Sequence, residues 1–193
     1  MQYWLMKTEP DAFSISDLER VGVEPWSGVR NKMARNFMRK MQIGDRVLFY
    51  HSSTEPPGVA GLADVERTGV VDETQFDPAS PYFDPTSKRE SPVWDCVDVR
   101  YVSKLPHYVS LARIRADAAL ADMMLLKWSR LSVMPVTDAQ YQRIVALGDI
   151  EPPPEPVKPK RKPKPKPRRK AVRKKTKRSR ATRSPRDASV AAR

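Results

Sequence analysis

VWDCVDVRYVSKL, residues 93–105, is the stretch on which the fold turns. Val93, Val97, Val99 and Tyr101 alternate with Trp94, Cys96, Asp98 and Arg100. A period of two belongs to a strand with one buried face. Asp95 interrupts the apolar face and marks a bulge or an edge. YWLMK (3–7), DRVLFYH (45–51) and GVAGLADV (58–65) share its character, being short, rich in β-branched and aromatic residues, and bounded by Gly, Pro and Asp. WSRLSVMPV (128–136) reads as one more strand, with Leu131, Val133 and, across Pro135, Val136 on a buried face. It puts Arg130 between two serines where that strand begins. A guanidinium there either points to water, as most do, or lines a pocket.

Helix signals are fewer and better capped. Ser16 with Glu19 forms a capping box ahead of a short turn through Arg20. In NKMARNFMRKM (31–41), Met33 with Phe37, and Ala34 with Met38 and Met41, fall on one flank, and Lys32, Arg35, Arg39 and Lys40 fall largely on the other. Thr137 with Gln140 is a second capping box, opening a helix through Tyr141, Ile144 and Val145 that ends near Gly148. Scattered strands with short interposed helices predict an α+β fold, a small mixed barrel rather than a doubly wound sheet. Residues 70–92 form a polar loop with four prolines, a length that in a compact domain is often functional.

Charge divides the chain in two. Residues 1–150 carry 18 Lys+Arg and 20 Asp+Glu, while residues 151–193 carry 18 and 3, so the whole net charge of +13 comes from the tail. That tail holds nine of the 19 prolines and no aromatic residue, which cannot offset chain entropy by burial and predicts disorder. The first 150 residues hold every Gly and all the aromatic residues, as expected of one domain. The N-terminus has no export signal, and nowhere do 18 apolar residues run together, so a soluble, unexported protein without a membrane partner is expected. Cys96, the single cysteine, excludes an intrachain disulfide and reads as a core filler.

Catalytic signals are sparse. There is no Gly-rich phosphate loop and no paired His or Cys spacing, and His51 and His107 are far apart, so neither metal nor cofactor is expected. His51 could serve as a base for Ser52 or Ser53, but neighbours on a strand point to opposite faces. Glu9 and Asp11 read as a solvated turn before they read as a carboxylate pair. The polar residues at strand ends are more suggestive: Lys7 and Thr8, then Trp26 with Arg30 and Asn31, then His51 and Ser52, then Ser129, Arg130 and Ser132. A small barrel exposes such ends together at one mouth. Trp offers a stacking surface, Asn and Ser paired donors and acceptors, and Arg or Lys a match for phosphate, a set suited to an unpaired nucleobase. The plainer alternative makes Trp26 core and leaves Arg30 and Arg130 solvated.

YWLMKTEPDAFSISDL (3–18), WSGVRNKMARNFMRKM (26–41), GDRVLFYHS (44–52), VAGLADV (59–65), FDPTSKRESPVWDCVDV (83–99) and SRLSVMPVT (129–137) together resemble the EVE domain family. The resemblance runs in order through residues 1–148. It implies a PUA-like β pseudo-barrel with flanking short helices and the reading of modified bases, modified cytosine in DNA first among them. By the same resemblance Lys7, Thr8, Trp26, Arg30, Asn31, His51, Ser52, Ser129, Arg130 and Ser132 surround the base. Lys32 and Met33 stand where the pattern leads one to expect Tyr and Gln, and Met134 where Gln is usual. These departures fall on the expected rim of the pocket.

The tail lies outside that pattern. VKPKRKPKPKPRRKAVRKKTKRSRATR alternates Lys with Pro and resembles the tails of linker histones and of some nucleoid proteins. Lys158, Lys160, Arg161, Lys162, Lys164, Lys166, Arg168, Arg169, Lys170, Arg173, Lys174 and Lys175 are the expected phosphate contacts, releasing counterions with little sequence preference. The family motif begins within a few residues of Met1, without the extension animal members carry, so a bacterial source is expected, with the protein cytoplasmic and nucleoid-associated; a eukaryotic source would make it nuclear. The expected function is a non-enzymatic modified-base reader preferring DNA, held on nucleic acid by its tail. The alternatives are a modified-RNA reader, an architectural DNA-compaction protein whose body only spaces tails, and an enzyme on modified nucleotides, which lacks an evident acid/base pair.

Overall fold

The computed structural model describes residues 1–152. The basic tail, its expected disorder and all its expected phosphate contacts lie outside the described residues. In chain order the elements are β1 (Tyr3–Thr8), α1 (Ile15–Val21), β2 (Val23–Pro25), α2 (Lys32–Met38), β3 (Arg46–His51), β4 (Gly58–Val71), β5 (Asp95–Ser110), α3 (Leu111–Ala116), α4 (Met124–Lys127), β6 (Val133–Val136) and α5 (Asp138–Asp149). They form an α+β fold around one six-stranded mixed sheet in the order β2-β5-β4-β3-β1-β6, with β1 and β3 parallel and the other neighbours antiparallel.

The long strands β4 and β5 slip register four times along their pairing. Such irregularities bend strands and increase their twist. The sheet therefore coils back on itself: Trp26, immediately after edge strand β2, packs edge-on against Phe49 of β3 at 5.3 Å, although β5 and β4 separate those strands in the ladder. This is the barrel-like closure that the sequence predicts. Both faces of β1 and β3 are covered, with Trp4, Leu5 and Met6 beside Val47, Leu48 and Phe49, all essentially inaccessible. At the foot of β1 the buried Asp45 carboxylate accepts from Gln2 N at 2.7 Å, Trp4 Nε1 at 2.9 Å and Gln42 N at 3.0 Å, so its burial is matched by donors.

Local details differ from the sequence reading for identifiable reasons. The cap of α1 is Ser14 with Asp17, not Ser16 with Glu19, because Glu19 instead holds Lys104 and the Tyr101 hydroxyl on β5. Met33 is largely exposed, while Ala34, Met38 and Met41 are buried, so α2 turns a narrower flank inward than expected. Met134 is wholly buried in the core and stands away from any rim. The Thr137 and Gln140 box forms as expected. Asp95 opens β5 opposite Val71 and pairs with Arg39, so it marks a strand end. The last strand starts only at Val133, leaving 129–132 as the turn before it. Strand β2 and helices α3 and α4 are too short to leave a periodic signal.

Candidate functional site

Topology gathers the strand ends. Because β1 and β3 are parallel and β6 runs opposite to β1, the last residues of β1 and β3 and the approach to β6 share one end of the sheet. Backbone bonds lock them there: Lys7 N donates to Ser132 O at 2.8 Å, and Ser52 N donates to Thr8 O at 2.7 Å. Closure of the sheet brings the segment from Glu24 to Asn31 across from them. Between the two lies a cleft of about 790 Å³. It is lined by Lys7, Thr8, Trp26, Arg30, Asn31, Ser52, Ser129, Arg130 and Ser132, nine of the ten residues expected at a base pocket.

His51 is the exception. Its Nε2 accepts the Ile15 backbone N–H at 3.1 Å, and its ring stands edge-on to Phe49. It closes the first turn of α1 behind the cleft, and burial lowers its pKa, favouring the neutral ring that this acceptor role requires.

The polar loop of residues 70–92 is organised by one residue. Gln75, fully buried, donates to Asp72 O at 2.8 Å and Trp94 O at 2.7 Å, and its oxygen accepts from Val93 N at 3.0 Å and Trp94 N at 2.9 Å. That places the buried Asp72 carboxylate under the cleft, accepting from Gly28 N at 2.9 Å and from Arg30 Nη1 at 2.7 Å. Burial raises the Asp72 pKa, but bonds from Arg30, Thr74 and Gly28 outweigh it and hold the carboxyl below its ordinary value. Arg30 also donates to Tyr82 O at 2.7 Å, Val29 O at 3.1 Å and Thr74 Oγ1 at 2.8 Å, and its guanidinium lies near the rings of Trp94 and Tyr82. Its fork is occupied by the protein. Arg30 builds the wall and has little left for a ligand. Tyr82 leans over Gly28, where a Cβ would stand 2.8 Å from its ring and where φ is +79°, so only glycine lets the loop close.

The remaining groups divide between those already engaged and those free. Trp26 is 7% exposed, a floor of the cleft that is also core. The Asn31 side-chain oxygen caps α2 by accepting from Met33 N and Ala34 N. The Thr8 and Ser52 hydroxyls donate to Phe13 O and Thr8 O at 3.1 Å each. The Lys7 ammonium donates to Ser129 O at 3.1 Å and lies over the Tyr50 ring, and burial lowers its pKa to about 8. Arg130 is exposed on the rim with no hydrogen bond or ion pair among the described residues. The arginine between two serines therefore lines the cleft and braces nothing.

Sequence reasoning missed several lining residues, among them Glu24, Tyr82 and Leu131. Glu24 stands two residues before Trp26, so strand periodicity would have paired their faces had β2 been recognised. Tyr82 carried no such signal, since its loop is positioned by partners distant in sequence, Arg30 on the Tyr82 carbonyl and Gln75 on the Asp84 amide. Cys96 is buried, with its thiol pushed up to about 12, chiefly by burial, and is inert.

The chain as a whole is similar to known proteins. Human thymocyte nuclear protein 1 is 36% identical over 169 residues, covering 78% of this chain and 75% of that protein. The structure of the human protein in complex with DNA containing 5-methylcytosine superposes with a TM-score of 0.76 at 35% identity, over 79% of this chain and all of that one. A Pseudomonas putida protein gives a TM-score of 0.73 at 48% identity, over 76% of this chain and 99% of that one. The EVE domain model matches residues 2–147, and the chain belongs to the EVE domain family.

Proposed function

We propose that this protein is a non-enzymatic reader of a modified base in DNA, 5-methylcytosine being the leading candidate. The observation that carries this reading is the cleft itself: an indole floor at Trp26, the Lys7 ammonium and the Arg130 guanidinium, unpaired among the described residues, stand together at one sheet end, in a fold shared with a human relative in complex with 5-methylcytosine DNA. A base extruded into such a site is held by ring contacts and by hydrogen bonds to its pairing edge. Apolar Val29 and Leu131 among the lining residues offer contact for a ring methyl group. Residues 151–193, with net charge +15, supply sequence-independent affinity through phosphate neutralisation.

The test is a binding panel of matched oligonucleotides, DNA and RNA, with and without 5-methylcytosine at one position. Preference for the methylated DNA is expected. Preference for modified RNA would move the reading to an RNA ligand, and equal affinity for all four would leave the body as a spacer for its tail and reject the proposal.

A further inference from the structure

Glu24 is a charged lining residue of the cleft with no role in the features above. It lies on β2 two residues before Trp26, and both residues line the cleft. It is half-buried, and its carboxylate makes no hydrogen bond or ion pair to any described residue. The other carboxylate of the cleft, Glu9, is exposed and already accepts from the Ser53 hydroxyl at 2.8 Å. A partly desolvated carboxylate without a donor is costly, and the cost is relieved when a ligand brings one. Across the cleft stand donors: the Lys7 ammonium and the Arg130 guanidinium.

We infer that Glu24 is the specificity-determining residue of the cleft, accepting the exocyclic amino group of the bound base. This rests on the base-reading function proposed above and narrows its substrate to amino-bearing bases, cytosine-type in first place. The polarity of the site fits that edge. An ionised carboxylate only accepts, while ammonium and guanidinium only donate. Cytosine presents an amino donor beside the ring nitrogen and carbonyl acceptors, which matches an acceptor on the β2 side and donors on the β1 and β6 side. Thymine has the methyl group of 5-methylcytosine but a carbonyl oxygen in place of the amino group, so two acceptors would face each other at Glu24. The carboxylate therefore rejects thymine where the methyl contact cannot.

The experiment uses the full chain and three single-stranded oligonucleotides identical except for 5-methylcytosine, cytosine or thymine at one position. The wild type is expected to bind 5-methylcytosine about tenfold more tightly than thymine. Glu24→Gln, whose amide can donate to the thymine oxygen, should bring that ratio close to one while the ratio of 5-methylcytosine to cytosine is kept. Glu24→Ala, checked by thermal melting beside the wild type, should erode the ratio in the same direction. A 5-methylcytosine to thymine ratio unchanged in both variants overturns the role of Glu24. Equal binding of 5-methylcytosine and cytosine by the wild type overturns the modified-base reading instead, and Glu24 still stands if thymine is rejected.

Discussion

Arg30 Nη1 lies 2.7 Å from the buried Asp72 carboxylate, and this pair ties the segment before α2 to the loop that walls the cleft. Asp72→Asn or Arg30→Ala leaves the partner charge poorly compensated and should cost about 3 kcal/mol in denaturant unfolding. The pH dependence has a definite sign. With its folded pKa below the ordinary 3.8, Asp72 contributes stability above that value, and the contribution is lost as pH falls through the lower folded one. Acid unfolding of Asp72→Asn should be correspondingly less steep.

Trp26 is floor and core at once. Trp26→Ala should lower stability by about 3 kcal/mol through the cavity left against Phe49. Measured well below its melting point, the variant should also lose about 1–3 kcal/mol of affinity for the modified oligonucleotide and much less for plain duplex. Loss of stability alone would restrict Trp26 to the core.

Arg130 has no protein partner among the described residues, so Arg130→Ala should leave unfolding within about 0.5 kcal/mol of wild type while weakening ligand binding. Arg130→Lys keeps the charge without the planar fork. Partial rescue by lysine indicates a phosphate contact, whereas none indicates bidentate recognition; undiminished binding by Arg130→Ala returns the residue to the solvated surface.

Lys7, with a pKa lowered to about 8 by burial, should lose its charge within an accessible range. Affinity for DNA should fall between about pH 7 and 9 as the ammonium deprotonates, and Lys7→Gln should flatten that profile. Stability runs the other way. Its folded pKa is below the ordinary 10.5, so the lysine's contribution is present above that value and lost as pH falls through about 8.

Deletion of residues 151–193 removes 18 of the 36 basic residues. The slope of log affinity against log salt, about −0.9 per neutralised phosphate on duplex DNA, should flatten. Preference for the modified base should persist in the truncated protein at higher concentration. Loss of preference with an unchanged slope would assign the reading to the tail and reject the division of labour.

The sequence by itself determined where the main strands lie, the Thr137 cap, the division of charge between body and tail, and the family; the single buried face read for β5 does not hold, since Cys96, Val97, Asp98 and Val99 are all buried. Each is a local pattern, or an ordered set of local patterns, and needs no partner to be read. Tertiary structure decided the roles within the cleft. Arg30 and Arg130 look equivalent as letters, yet the buried Asp72 engages one and nothing among the described residues engages the other. His51 ends a strand beside Ser52, but strand alternation turns it to the back, where Ile15 N–H takes its nitrogen. Glu24 joins the site only because slips in the β4 and β5 pairing bend the sheet until its edge strand returns to β3. Hydrogen-bond partners distant in sequence leave no periodic trace along the chain, so which charges were engaged and which stayed free for a ligand was settled only by folding.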